Sequence, residues 1–252
     1  MAFAHDLAAS VGVRLVSFDR PGYGGSTVAP FSLSSVAYDT AVIADALGIE
    51  DFATLGHSGG GPFSLAAAAA LDGRVSKAGV ASGGGPFERV PGAMNSLDEG
   101  DTAALALLPG DPAGAAARFA AGFEAFAEMF ATSTLAEVSA GFGPILSDRD
   151  RAILEDTDLA VSLGLSMKEA LRQGCMGSGW DNVSWVGPWD FDPTVIDCPV
   201  LLWYGDEDRL CSPSSGRWLH QNLRNSTFVL RPGEGHLGFM DHTREMLTSL
   251  TA

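Results

Sequence analysis

Apolar positions along the chain follow two rhythms. Short, nearly continuous apolar runs stand at 13–18 (VRLVSF), 52–55, 78–82, 199–204 and 227–230. Runs of about four to eight residues bounded by glycine, proline and aspartate predict strands of a buried parallel sheet. Between them the spacing is helical. Residues 2–10 carry Phe3, Leu7 and Ala8 on one face, and 33–48 turn Val36, Ala37, Ile43, Ala44 and Leu47 inward. Further helices are expected from Pro62 to about Leu71, over 214–223 and over 240–250. Strand alternating with helix is the signature of an α/β fold with a mostly parallel sheet. The rhythm breaks at Gly83-Gly84-Gly85-Pro86. From 87 to 195 the chain shows helical periodicity at 101–108, 112–131, 148–156 and 158–173, then an aromatic stretch with Trp180, Trp185, Trp189 and Phe191. The expected organisation is a core of residues 1–86 and 196–252, interrupted by a helical insertion at 87–195.

Composition narrows the functional classes. The 252 residues, 46% hydrophobic, suffice for one large α/β domain with an insertion. A net charge of −16 argues against nucleic acid and anionic membrane surfaces as partners. Cys175, Cys198 and Cys211 are odd in number and lack CxxC spacing, so no disulfide framework or zinc site is indicated. With scattered histidines, no metal or other cofactor is expected. The first residues show no signal-peptide pattern, and no apolar run approaches the roughly eighteen residues of a membrane span, so a cytoplasmic protein is the expectation.

Candidate chemistry centres on FATLGHSGGGP at 52–62. A strand runs into Gly56-His57-Ser58-Gly59-Gly60 and then straight into a helix. G-x-S-x-G in that setting forms a nucleophile elbow, a tight turn that lifts one serine above the sheet edge. The pentapeptide alone also fits an ordinary glycine-rich turn. A nucleophilic Ser58 needs a base and an acid to orient it. Two later loops supply them in order, each after a strand: Gly205-Asp206-Glu207-Asp208 and Pro232-Gly233-Glu234-Gly235-His236. The base is then His236, and the acid is one of Asp206, Glu207 and Asp208. His57 reads as packing beside the turn, while His5, His220 and His242 fall on helices. DRPGYGGS at 19–26 lacks the phosphate-loop patterns and reads as a structural turn, with Asp19 and Arg20 behind the site.

These pieces together, DRPGYGGS, GHSGGGP, GDEDR at 205–209 and PGEGH at 232–236, resemble the α/β-hydrolase superfamily in its lidded esterase and peptidase-like branch. The resemblance spans nearly the whole chain. It implies an α/β-hydrolase fold whose insertion is a lid, and it places the acid at Asp208, three residues after Gly205. It also implies a Ser58–His236–Asp208 triad that cleaves a small ester or related acyl compound through an acyl-enzyme, with the Gly59 N–H as one oxyanion donor. His57, Trp180, Trp185 and Trp189 are candidates for the substrate pocket. Alternatives are a proline-iminopeptidase-like amidase and a non-catalytic binding protein that keeps a hydrolase-like pocket. The family further has strands ahead of 13–18, one followed by an HG-type loop that donates the second oxyanion hydrogen bond. No part of the chain matches them, so the fold is expected to lack its N-terminal strands. Either a longer protein carries about 30–50 more residues, or the shortened chain is a degenerate or partner-dependent hydrolase. The partners expected are a small acyl substrate and, as an open option, a second copy of the chain.

Overall fold

The computed structural model describes residues 4–132 and 146–252; Phe3 of the expected first helix lies outside them. Four strands form one parallel sheet in the order β1 (Phe52–His57), β2 (Val75–Ala81), β3 (Val200–Gly205), β4 (Ser226–Arg231). The helices among the described residues include α1 (His5–Ser10), α2 (Leu33–Ala46), α3 (Gly60–Ala70), α4 (Glu99–Leu105) and α5 (Pro112–Thr132). They continue as α6 (Asp148–Leu154), α7 (Thr157–Ala170), α8 (Met176–Trp185), α9 (Pro213–Asn222) and α10 (Thr243–Thr251). Helices α4 to α8 all fall between β2 and β3.

Strand period sets the layers, because successive side chains leave opposite faces of a sheet. In β3, Leu202 and Tyr204 join the main core with Leu33 and Val36 of α2, Leu65 of α3 and Leu219 of α9. Leu201 and Trp203 turn the other way, onto Met246 and Leu250 of α10. Leu33, Leu65, Leu202 and Leu219 are fully buried, each contributing about 1.5–3 kcal/mol of apolar transfer. No helix among the described residues is long and apolar enough to cross a membrane.

Three expectations change. Residues 13–18 form no strand, and Val16 and Phe18 are 40% and 36% exposed rather than buried. A strand exists only through ladder hydrogen bonds, and among the described residues none pairs with this segment; β1 is bonded to β2 alone. Leu47, expected inside, is 41% exposed at the C-cap of α2. The stretch MGSGWDNVSW, with two glycines, lies beyond the segments whose periodicity predicts helices yet forms α8. Its glycines serve close approach. A Cβ on Gly177 would lie 2.9 Å from the Gly22 carbonyl, and one on Gly179 would overlap the Ala116 carbonyl of α5.

Gly179→Ala should therefore lower the unfolding free energy read from urea denaturation, by about 1–3 kcal/mol of overpacking. Gly122→Ala, on the exposed face of α5 with open space at its Cβ, should raise it by up to about 1 kcal/mol. Equal effects of the two substitutions in chemical denaturation would contradict this packing.

Candidate active site

β1 ends at His57, α3 begins at Gly60, and Ser58 occupies the corner with φ = +55°. This left-handed conformation is costly for a serine and is held by its surroundings. The Ser58 N–H donates to the Ala81 carbonyl of β2 at 3.0 Å, and the Ser58 carbonyl accepts from Gly61 N–H at 2.9 Å. Gly56 is obligatory, since a Cβ there would overlap the Gly60 carbonyl. The turn foreseen around Ser58 is thus built as an elbow.

The two later loops meet beside it. His236 Nδ1 lies 2.9 Å from Asp208 Oδ2, and both residues are only 6% exposed. The other oxygen, Asp208 Oδ1, accepts the N–H groups of Leu210 and Cys211 at 2.9 and 2.8 Å. Burial pushes the Asp208 carboxyl up, but the His236 contact and the two N–H groups outweigh it and hold its pKa below the ordinary value. The other two acids do different work. Asp206 accepts the Gly233 N–H at 2.7 Å, and the Glu207 N–H donates to the Glu234 carbonyl, so both tie one loop to the other.

Ser58 Oγ makes no hydrogen bond to His236 among the described residues. Its polar neighbour is Cys211 Sγ at 4.0 Å. Cys211 is fully enclosed, and burial, followed by the charge of Asp208, pushes its thiol up to about 12. A thiol so disfavoured as thiolate is a poor nucleophile.

His57 packs against the backbone and ring of His236. Its Nε2 lies 3.0 Å from the His236 carbonyl, its ring stacks on Phe239 at 4.0 Å, and the two imidazoles are 4.6 Å apart. Burial chiefly, with the neighbouring His236, lowers its pKa to about 3, so His57 is neutral and its Nε2–H donates to the carbonyl. A small apolar cavity of about 20 Å³ between Leu15, Leu55, His57 and Phe239 adjoins it; Ser58 and His236 do not line that space.

Of the tryptophans, Trp185 alone is brought to the elbow. Its indole Nε1 is 3.3 Å from where a Cβ on Gly59 would sit, and Phe87 packs edge-on to its ring at 5.3 Å. Trp189 bonds back to the Trp185 carbonyl and stacks on Phe191, while Trp180 packs against the main core.

Sequence reasoning missed two buried carboxylates. Asp181 of α8 receives Arg20 through Nε at 2.9 Å and Nη2 at 2.5 Å, and Tyr23 Oη at 2.6 Å. Arg20 is thus tied to α8, whereas Asp19 closes its own turn on Gly25. Asp150 of α6, 1% exposed, accepts the His236 and Leu237 N–H groups at 3.0 and 2.7 Å. Its sequence signal, Ser147-x-x-Asp150, announces only a helix start.

Residues 2–243 match the family described as alpha/beta hydrolase fold. The chain belongs to that family. Among solved structures of this fold, an esterase from Exiguobacterium antarcticum superposes with a TM-score of 0.64 at 17% identity, covering 99% of this chain and 84% of that one. An enol-lactonase from Burkholderia xenovorans gives 0.64 at 16%, covering 99% and 86%, and a bromoperoxidase from Bacillus anthracis gives 0.65 at 17%, covering 99% and 85%. At these identities the likeness is one of fold. A pimeloyl-[acyl-carrier protein] methyl ester esterase of Neisseria meningitidis is 38% identical over 47 residues, a match spanning 19% of this chain and only 18% of that relative's length.

The depressed pKa of His57 has a consequence for this alpha/beta hydrolase. The unfolded chain takes up the His57 proton near 6.5 and the folded one only near 3, so stability from this group is complete above about pH 6.5 and lost as pH falls toward 3. Urea midpoints should drop between about pH 7 and pH 5, and His57→Asn should flatten that slope. Identical slopes in the two proteins would contradict the placement of His57.

Proposed function

We propose that the chain is a serine hydrolase that cleaves small esters, with Ser58 as nucleophile, His236 as general base and Asp208 as the acid that orients it. The observation carrying this reading is the 2.9 Å contact of His236 Nδ1 with the buried Asp208 carboxylate, next to a serine at φ = +55°. With Nδ1–H donated to Asp208, the Nε2 lone pair is the ring's free proton acceptor.

The chemistry follows. Substrate binding draws the Ser58 hydroxyl from Cys211 toward His236; such bonds tighten on complex formation. Oγ gives its proton to Nε2 and bonds the carbonyl carbon. The tetrahedral oxyanion is stabilised by the Gly59 N–H and the partial positive charge at the start of α3. The C–O bond to the leaving alcohol breaks as His236 returns the proton. Water, deprotonated by His236, then releases the acid. Trp185, pressed against Gly59, is the proposed wall of the acyl pocket, and the helices between β2 and β3 are the proposed lid over it.

A fluorophosphonate probe and short p-nitrophenyl esters test the proposal. The wild-type chain should label and turn over ester, and Ser58→Ala should lose both, activity falling by about 10³-fold or more. Turnover confined to prolyl anilides would shift the reading to an amidase. Folded wild-type protein that neither labels nor hydrolyses would identify a binding protein instead.

A further inference from the structure

Asp150 does two jobs at once. As the third residue of α6 it completes a capping box: Ser147 Oγ accepts the Asp150 N–H at 3.0 Å, and Asp150 Oδ2 accepts the Ser147 N–H at 3.2 Å. A helix start needs nothing more. Yet the same carboxylate reaches a loop 86 residues away in sequence, taking the His236 N–H on Oδ2 at 3.0 Å and the Leu237 N–H on Oδ1 at 2.7 Å. Burying a carboxylate is costly unless its lone pairs are filled, and here three backbone N–H groups fill them. The loop is shaped for this contact. A Cβ on Gly235 would overlap Asp150 Oδ2 and Ser147 Oγ, so only glycine admits the carboxylate. One residue away, Arg149 pairs with Asp241, fastening α6 to the same loop a second time.

We infer that Asp150 is a positioning residue for His236: it fixes the peptide planes on either side of the base, so that proton transfer depends on how α6 is seated. The inference rests on the proposed role of His236. Asp208 holds the ring through Nδ1 and His57 holds the carbonyl, but the peptide leading into His236 is anchored by Asp150. Charge-assisted bonds to a buried carboxylate are short and directional, and an asparagine in its place presents one acceptor and one amide group that opposes an N–H. The peptide must then tilt, carrying Nε2 away from Ser58.

Asp150→Asn, checked by near-UV circular dichroism and assayed well below its melting temperature, should cut kcat for a p-nitrophenyl ester by about 10–100-fold, with KM within about twofold of wild type. The second-order rate of fluorophosphonate labelling, which reports activation of Ser58 by His236, should fall by the same factor. Ser147→Ala weakens the same helix cap but leaves the acceptor for His236 in place. It should lower the melting temperature while kcat stays within about twofold. If Asp150→Asn does not hold its fold, Gly235→Ala pushes a methyl into the same carboxylate and should show the same kcat loss. Folded Asp150→Asn or Gly235→Ala with wild-type kcat overturns the inference, as does a Ser147→Ala loss equal to that of Asp150→Asn. Wild-type activity that survives His236→Ala would instead defeat the underlying role of the base.

Discussion

One histidine is gripped from three directions, and much of the molecule is arranged to do it. Asp208 takes the ring nitrogen of His236, Asp150 its backbone N–H, and His57 its carbonyl. The three partners come from the loop after β3, from the helices between β2 and β3, and from the end of β1. The two carboxylate grips are made in near-complete burial and the His57 one in partial burial, where an unmatched polar group costs about 1–3 kcal/mol. The arrangement is therefore all-or-none: displacing any one partner leaves a buried donor or acceptor without its mate. In the role proposed for His236, a proton acceptor that must meet Ser58 within a few tenths of an ångström, such over-determination is what the chemistry requires.

The same economy governs how the helices between β2 and β3 are fastened to the sheet. Two buried aspartates act as rivets. Asp181 joins α8 to Arg20 and Tyr23 of the DRPGYGGS turn, and Asp150 joins α6 to the 235–237 loop. Burial alone would push the Arg20 guanidinium down and the Tyr23 hydroxyl up; the Asp181 carboxylate together with Tyr23 outweighs burial at Arg20, and Asp181 adds to it at Tyr23. Glycines make room at each rivet, Gly22 against Gly177 and Gly235 against Asp150. Buried charges of this kind add little net stability over apolar packing but penalise every misdocked arrangement.

Much of this was legible in the sequence, for physical reasons. Four of five expected strands form, because apolar runs bounded by turn residues bury well between helix layers. The elbow was legible because it opens on Gly56, where any side chain would overlap the Gly60 carbonyl. From spacing the acid was legible only as a trio, and the family resemblance singled out Asp208; spacing could not tell that Asp206 would cap Gly233 while Asp208 turned to His236. Residues 13–18 carry a strand pattern without a ladder partner, a fact about neighbours that no local pattern encodes. Helix α8 was hidden by the glycines that let it pack, and Asp150 by a capping motif that masks a tertiary bond. His57, which also read as packing beside the turn, stacks on Phe239, and Trp180 and Trp189 pack against the core.

If acyl transfer passes through Ser58, as proposed, the nearest rival nucleophile is the thiol of Cys211 4.0 Å away. Intact-protein mass spectrometry during turnover of p-nitrophenyl acetate, followed by peptide mapping, separates them directly. The account predicts one acetyl group on the peptide carrying Ser58, accumulating as the first p-nitrophenol is released. Acetyl on Cys211, or steady hydrolysis with no acylated chain in either wild-type or His236→Ala protein, would contradict it.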